Sequence, residues 1–268
     1  MPLVHSKQLM AAVYRVVIQR ASGFNFPTTL VPANATVFHA FDQRYFALDA
    51  SRRIFRRNEA MNSIKIFPSP DDSNRFTGSS MDLHGIEPSG GLYCSLQQQA
   101  IVNEVSYYVN AAAAAEAAKR GAAPPSTIPR TEVMATKPVV KIQTMAPLLA
   151  VELSPHNPIG MRFVNSLSQD KGVQDAMKAA GKAWASVWDA MNDGVDCSVA
   201  RGIGLALAKL GYKGLCVQTV RTSERSSLEK GDNIVYFGRE GQIVPNLWVV
   251  EAYYFPLDGS VERYPVEF

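Results

Sequence analysis

The sequence predicts an α+β fold, with a mixed or antiparallel sheet and flanking helices. Short apolar runs rich in β-branched and aromatic residues predict strands, and three of them follow one another as LCVQTV, NIVYFG and NLWVVEAYYFP. Other segments carry apolar residues three and four positions apart, which is the spacing of an amphipathic helix. The chain has 268 residues, of which 47% are apolar. It is therefore long enough to bury one large core, and we expect a single domain over 1–268.

The first hundred residues predict strands and loops that lead into a long helix. The run AAVYRVVIQR at 11–20 is rich in β-branched residues, which favours a strand over a short helix. Turn-forming residues dominate 67–80 and predict a polar loop. The stretch SGGLYCSLQQQAIVNEVSYY then predicts a strand, a turn with Ser95 as the N-cap, and a helix. That helix continues through a run of alanines and ends at Gly121.

The second half begins with a proline-rich segment at 123–138, which we expect to run over the surface as a linker. APLLAVELS at 146–154 predicts a strand. Apolar residues recur at helical spacing over 173–191 and predict one amphipathic helix, whose tryptophans pack in the core. The stretch at 197–214 predicts a further helix that ends at Gly211.

Composition indicates a globular protein and favours the cytoplasm as its place of action. The net charge of +3 is too small to indicate nucleic-acid binding, and the basic cluster SRRIFRR at 51–57 is typical of a solvated face. Three widely spaced cysteines without a CxxC pair favour a reducing compartment. The sequence has no apolar run long enough to span a membrane and no cleavable signal at its start, which leaves export without a cleaved signal open.

Several common catalytic motifs are missing. The glycines of GIGLALAKLG at 202–211 do not fit GxGxxG, and the segment is better explained as a helix. The four histidines lack a metal-ligand spacing such as HExxH. A GxSxG nucleophile turn is also missing, although a Ser-His-Asp arrangement stays open. We therefore expect neither a metal centre nor a prosthetic group.

One acid stands out on the predicted helix after the glycine pair. Glu104 shares a face with Ile101, Val105 and Tyr108, because these residues are three or four positions apart. A carboxylate on an inward face must be hydrogen-bonded, paired or placed at a cavity. From periodicity alone, Glu104 lies either at the margin of the face, reaching solvent, or in a functional site.

Two segments of the chain resemble the RES-domain family of NAD-consuming toxins, which are related to ADP-ribosyltransferases. GGLYCSLQQQAIVNEV is similar to the family's LY–short loop–AxxE segment. LAKLGYKGLCVQTVRTSERSSLEKGDNIVYFG is similar to its C-terminal pattern of a helix, G[YV]xG[LI], a strand, a variable loop and N[IVL][VA]xF. The resemblance covers about 50 residues and implies an ADP-ribosyltransferase-like α+β fold. It also makes the region around 110–195 a probable insertion relative to the family.

The resemblance assigns three catalytic residues to this sequence. Glu104 matches the family glutamate and Tyr93 the tyrosine of the preceding strand. Thr219 stands where the family has a serine, so a hydroxyl is kept and a methyl is added. Ser223 and Ser226 are nearby alternatives for this hydroxyl.

The resemblance also implies arginines that bind the NAD⁺ pyrophosphate. Arg75, in NRF, falls near the arginine of the family's GR[FW] segment, with Asn74 in place of the glycine. Arg15 follows an aromatic residue near the start of the chain, as the first family arginine does. Arg53, Arg56 and Arg57 are rivals for this position, and Arg56 is counted with Arg15 among the residues expected to bind NAD⁺. Arg221 and Ser223 complete the residues expected to bind NAD⁺.

These residue types suit cleavage of the bond between nicotinamide and ribose. The leaving nicotinamide is a neutral pyridine, so it needs no acid, while positive charge develops on the sugar as in glycoside hydrolysis. A carboxylate such as Glu104 can stabilise that charge and bind ribose hydroxyls, and an aromatic ring such as that of Tyr93 can pack on nicotinamide. Arginine forks match pyrophosphate oxygens bidentately.

The sequence thus predicts an enzyme that consumes NAD⁺ as a substrate, as a glycohydrolase or phosphorylase. The resemblance further implies a toxin or effector neutralised by an antitoxin or immunity protein. The alternatives are an ADP-ribosyltransferase that modifies a macromolecule, a binding module of the same fold without turnover, and an unrelated α+β hydrolase. The hypothesis of a binding module is motivated by two departures from the family pattern, Asn74 in place of glycine and Thr219 in place of serine.

Overall fold

The computed structural model describes residues 6–40, 46–49, 54–57, 75–76, 90–193, 195–218, 232–238 and 247–267. Within these ranges the helices are α1 (Lys7–Ala21), α2 (Gln98–Lys119), α3 (Arg130–Ala135), α4 (Pro158–Ser168), α5 (Lys171–Ala179), α6 (Val187–Met191) and α7 (Ser198–Lys209). The strands are β1 (Thr28–Val31), β2 (Thr36–Ala40), β3 (Phe46–Asp49), β4 (Ile54–Arg57), β5 (Gly90–Ser95), β6 (Val139–Thr144), β7 (Leu148–Glu152), β8 (Gly214–Gln218), β9 (Asp232–Gly238), β10 (Leu247–Tyr254) and β11 (Glu262–Glu267).

The described strands form one sheet in the order β1-β7-β8-β9-β5-β2-β6-β10-β11-β4-β3. Two neighbouring pairs, β7–β8 and β4–β11, are parallel, and the other described pairs are antiparallel. The α+β class with a mixed, largely antiparallel sheet is therefore confirmed. The strands expected at LCVQTV, NIVYFG, NLWVVEAYYFP and 146–154 are confirmed as well.

One face of the sheet buries a core built from strand residues. It includes Val37, Cys94, Ile142, Cys216 and Ile234, all 4% exposed or less. Neighbouring positions on the same strands point the other way, because side chains alternate between the faces of a strand. The three cysteines of the chain, Cys94, Cys197 and Cys216, are buried and form no disulfide with one another.

Most helices cover the other face over β7, β8 and β9. α1 packs against α5 and α7, and the shared core includes Leu9, Val13, Val17, Ile203 and Leu207, which are fully buried. This packing requires close approach between the two backbones. A Cβ at Gly202 would lie 2.8 Å from the Met10 carbonyl oxygen, so glycine allows α7 to contact α1.

A smaller core lies under α2 and α3. Ile101 and Val102 of α2 pack there with Val133 and Met134 of α3 and with strand residues of β6 and β10. The segment expected to be a surface linker therefore contains a helix with buried residues. α2 runs to Lys119, and Gly121 follows with a φ of +66°, as expected for its end.

The expected strand at 11–20 is wrong, because these residues lie in α1. Ser6 caps the helix by accepting a hydrogen bond from the Leu9 amide, and Leu9, Met10, Val13 and Val17 form its buried stripe. Burial of this stripe against α7 outweighs the weak helix propensity of the valines.

Two other helix boundaries also differ from expectation. The single helix expected over 173–191 is two helices, α5 and α6, because Gly181 adopts a φ of +67° and ends the first. The N-cap of α2 is Gln97 rather than Ser95, which is the last residue of β5. α7 confirms that 202–211 is helical, with Gly211 beyond its end at a φ of +91°.

The region around 110–195 supplies β6 and β7, both of which lie inside the sheet with neighbours on either side. Its interpretation as an insertion stays a prediction. No helix in the described ranges is long and apolar enough to cross a membrane.

Candidate functional site

Glu104 lies buried on α2, at the centre of the candidate site. The first part of this helix packs towards β2, β5 and β6, so five successive residues from Ala100 to Glu104 are buried. Glu104 is only 2% exposed. The position at a solvated margin, which periodicity alone had left open, is therefore excluded. A carboxylate buried to this extent requires polar neighbours.

Asn233 of β9 connects Glu104 to Tyr93. Its Nδ2 donates to Glu104 Oε1 at 2.9 Å and to the Tyr93 hydroxyl oxygen at 2.8 Å. The strand register explains the arrangement, since Asn233 pairs with Ser95 and Tyr93 lies two residues away on the same strand. Both side chains therefore project from the same face of the sheet, towards α2.

Arg75 approaches the same group from a separate segment. It is 5% exposed, and its Nη2 donates to the Met191 carbonyl oxygen at the end of α6 and to Asn192 Oδ1 at 2.7 Å. Burial by itself lowers the pKa of Arg75, but the oxygens of Tyr108, Tyr93 and Glu104 outweigh burial and raise the pKa above its usual value. Arg75 thus supplies positive charge beside Glu104.

The Glu104 cluster, defined by Glu104, Tyr93, Arg75, Asn233 and Tyr108, thus draws on α2, β5, β9 and the segment that carries Arg75. Tyr108 comes from the next turn of α2, which places it on the same side of the helix as Glu104. The carboxylate of this cluster can stabilise positive charge, its guanidinium can stabilise negative charge, and its carboxylate and two phenols can hydrogen-bond hydroxyl groups. The structure brings together three of the residues expected from the sequence, Glu104, Tyr93 and Arg75.

The segment that carries Arg75 is fixed by close packing on α7. A Cβ at Gly204 would overlap the Phe76 carbonyl oxygen and would lie 2.8 Å from the Phe76 carbonyl carbon. The Phe76 side chain is 1% exposed, and the Arg75 guanidinium carbon lies 5.2 Å from the centre of its ring. Gly204 therefore allows the chain to place Arg75 near Glu104.

His39 of β2 supports the strand that carries Tyr93. Its Nδ1 lies 2.5 Å from the Tyr93 carbonyl oxygen, and a ring nitrogen facing a carbonyl must be the protonated, donating one. Burial lowers the pKa of His39 to about 4, although the hydrogen bond to Tyr93 opposes that shift. The ring is therefore neutral near pH 7.

The other expected residues lie elsewhere or outside the described ranges. Arg15 is exposed on α1, with its Nε donating to the Ala11 carbonyl oxygen at 3.2 Å. Its assignment to NAD⁺ binding stays a prediction. Arg56 and its neighbour Arg57 lie in β4, and their side chains are outside the description. The remaining residues named from the sequence lie outside the described ranges; they are Arg53, Asn74, Thr219, Arg221, Ser223 and Ser226.

Two members of the cluster were missed as site residues from the sequence. Asn233 is the first residue of the NIVYF segment, so the asparagine in the family-like pattern N[IVL][VA]xF was the available signal. The helical spacing predicts that Tyr108 shares a face of α2 with Glu104, but no motif assigns it a role in the site. Neither residue has a motif that predicts its hydrogen bonds, because those depend on how β9 and α2 meet.

A cavity of about 280 Å³ lies away from this cluster, between α4, α5 and α6. Two of the polar side chains that line it are engaged by neighbouring groups. Gln174 Nε2 donates to the Ser168 carbonyl oxygen at 2.7 Å, and Lys182 Nζ lies 3.1 Å from Asp196 Oδ2. The cavity therefore lacks a cluster of groups prepared for catalysis. Among the residues that the structure describes, no group of His, Cys, Asp and Glu side chains has the arrangement of a metal site.

Comparisons with known proteins add little about function. No family model matches the sequence. No curated protein matches it either. Among solved structures, the fold is similar to a chain of the M. tuberculosis MbcT–MbcA toxin–antitoxin complex, with a TM-score of 0.46 and 12% identity over 93% of this chain and 95% of that one. A likeness of this size is too weak to carry conclusions to this protein.

Proposed function

We propose that this protein cleaves NAD⁺ at the nicotinamide–ribose bond. The observation that carries the proposal is the meeting of Glu104, Tyr93 and Arg75 in one buried cluster. The resemblance to RES-domain toxins assigns Tyr93 and Glu104 from one segment, where they are 11 positions apart, and Arg75 from another, 18 positions before Tyr93. A surface arginine and a core tyrosine with no shared role would have no reason to meet around one buried carboxylate.

The chemistry assigns a role to each member. As the nicotinamide leaves with the bonding electron pair, positive charge develops on the ribose, and the Glu104 carboxylate opposes that charge. The acceptor oxygen then forms a bond to the same carbon and releases its proton. The Tyr93 ring packs against nicotinamide, and its hydroxyl is held by Asn233.

Arg75 would interact with the pyrophosphate and set the charge near Glu104. Its Nη2 is already engaged by Met191 and Asn192, whereas its Nε has no hydrogen-bond partner among the described residues. A buried donor of this kind is costly without a partner. A phosphate oxygen would satisfy it, which supports a role for Arg75 in NAD⁺ binding.

The biological role we propose is that of a toxin or effector held inactive by an antitoxin or immunity protein. This part of the proposal rests on the resemblance of the two sequence segments. NAD⁺ consumption by an unregulated enzyme would deplete a cofactor that every cell requires, so a neutralising partner is expected. Induced expression of the chain without a partner should stop growth and lower cellular NAD⁺, and Glu104→Ala should remove both effects.

The identity of the product separates the reactions that the same site could perform. Purified protein is incubated with NAD⁺, first in buffer without phosphate, then with inorganic phosphate, then with a cell extract. Free ADP-ribose indicates a glycohydrolase, its phosphorylated form a phosphorylase, and ADP-ribose attached to macromolecules a transferase. A Thr219→Ala variant tests the predicted hydroxyl in the same assay. NAD⁺ binding without any nicotinamide release would identify a binding module and refute the proposed enzyme.

A further inference from the structure

Asn233 holds two functional groups with one nitrogen. Its side chain is fully buried, and Nδ2 lies within 3 Å of both Glu104 Oε1 and the Tyr93 hydroxyl oxygen. An ionised carboxylate only accepts hydrogen bonds, so the amide nitrogen rather than the amide oxygen must face it. The chemistry of Glu104 therefore fixes the orientation of Asn233.

That orientation has a consequence for Tyr93. The phenol oxygen accepts a hydrogen bond from Asn233, so its own proton points in another direction. The tyrosine proton is thereby directed away from the Asn233 nitrogen.

We propose that Asn233 is a positioning residue, which holds the Glu104 carboxylate in place and fixes the Tyr93 hydroxyl at a constant distance from it. The inference rests on the proposed function. It assigns Asn233 no contact with the substrate, and its effect on the reaction passes through Glu104 and Tyr93. The position on β9 suits this role, because strand pairing with β5 fixes the backbone on which both Asn233 and Tyr93 depend.

Replacement of the amide by a carboxyl group gives the sharpest test. Asn233→Asp places two carboxyl groups at hydrogen-bonding distance, where they share one proton. We expect kcat for nicotinamide release to fall about 10- to 100-fold at pH 7 and to recover in part at higher pH. The acid limb of the pH–rate profile should move up by about one to two pH units.

Asn103→Asp is the matched control. Asn103 is buried like Asn233, but it lies on α2, directly before Glu104. Its hydrogen-bond partner is Gln99, whose Nε2 donates to Asn103 Oδ1 at 2.9 Å. A carboxylate introduced there should leave the acid limb where the wild type has it. The same control shows whether a buried charge lowers activity simply by destabilising α2.

A second variant keeps the test decisive if Asn233→Asp does not fold. Asn233→Ala should reduce kcat less in a Glu104→Gln background than in the wild type, because the part of its effect that passes through Glu104 is already lost there. Full additivity, or a pH–rate profile of Asn233→Asp identical to that of the wild type, would overturn the role of Asn233. Lack of nicotinamide release by the wild type would instead refute the proposed function, and this inference with it.

Discussion

Gly204 of α7 lies directly against the backbone of Phe76, in a contact that leaves no room for a side chain. Phe76 follows Arg75, which lies beside Glu104 in the candidate site. A helix glycine is normally a cost to stability of about 1 kcal/mol relative to alanine. At this position, glycine lets the Phe76 backbone approach α7, and the adjacent Arg75 can then make its buried hydrogen bonds to Met191 and Asn192.

Gly204→Ala should lower both stability and activity. The new methyl group overlaps the Phe76 carbonyl, so the segment must shift, and we expect the free energy of unfolding to fall by about 1–3 kcal/mol. Nicotinamide release should fall further than the folded fraction explains, because Arg75 moves with Phe76. Urea unfolding and an NAD⁺ assay on the same sample measure the two effects.

Gly202→Ala provides the control for that variant. It makes the same change two residues earlier in α7, but its Cβ meets Met10 and Val13 of α1 instead. We expect comparable destabilisation with the activity per folded molecule retained. Equal activity losses in the two variants would contradict a specific link between Gly204 and Arg75.

Arg75→Met should destabilise the fold and impair NAD⁺ binding. The change removes the hydrogen bonds of a buried guanidinium to Met191 and Asn192, each worth about 1–3 kcal/mol, and leaves Asn192 Oδ1 without this donor. Arg75→Lys keeps the charge but loses the planar fork, and should lie between Arg75→Met and the wild type. Isothermal calorimetry with NAD⁺ and denaturant unfolding test this ranking. An Arg75→Met variant with wild-type affinity would remove Arg75 from the proposed site.

Short motifs in the sequence named three residues that lie together in the structure, whereas local propensity did not predict the path of the chain at α1. Glu104, Tyr93 and Arg75 were found through short motifs, which carry residue types at fixed positions. The helix α1 was missed because the valines of its sequence favour a strand locally, while the packing that decides its structure comes from α7, almost 190 residues later. Its cap, Ser6, was a signal that could have been used.

Asn233 could not have been assigned from the sequence by physical reasoning. Its hydrogen bonds require β9 to pair with β5 in one register and α2 to cover that pair. A shift of the register by one residue would turn Asn233 to the opposite face of the sheet. The break at Gly181, in contrast, was visible as a glycine inside an apolar helical pattern and could have been predicted.

His39 should make the stability of the protein depend on pH between about pH 4 and pH 6.5. Its folded pKa of about 4 lies below the usual value of 6.5, so over this range the unfolded chain binds a proton that the folded chain does not. The free energy of unfolding therefore rises with pH between about pH 4 and pH 6.5, and above pH 6.5 the unfavourable protonation of His39 no longer lowers it. The contribution of His39 should reach at most about 3 kcal/mol.

His39→Asn isolates this effect. The asparagine amide can still donate to the Tyr93 carbonyl oxygen but does not titrate in this range. Urea unfolding of both proteins at pH 4.5 and pH 7.5 should show a smaller difference between the two pH values for the variant. Identical pH dependence of the variant and the wild type would exclude His39 as the group responsible.

The central claim is that the buried carboxylate of Glu104 stabilises the ribose cation formed from NAD⁺. The most direct measurement is the rate of nicotinamide release by wild type and by Glu104→Gln, at equal concentrations of folded protein and saturating NAD⁺. Glutamine keeps the shape of the side chain and removes its charge, so we expect a fall of about 100-fold or more. Release by Glu104→Gln at the wild-type rate would contradict the account.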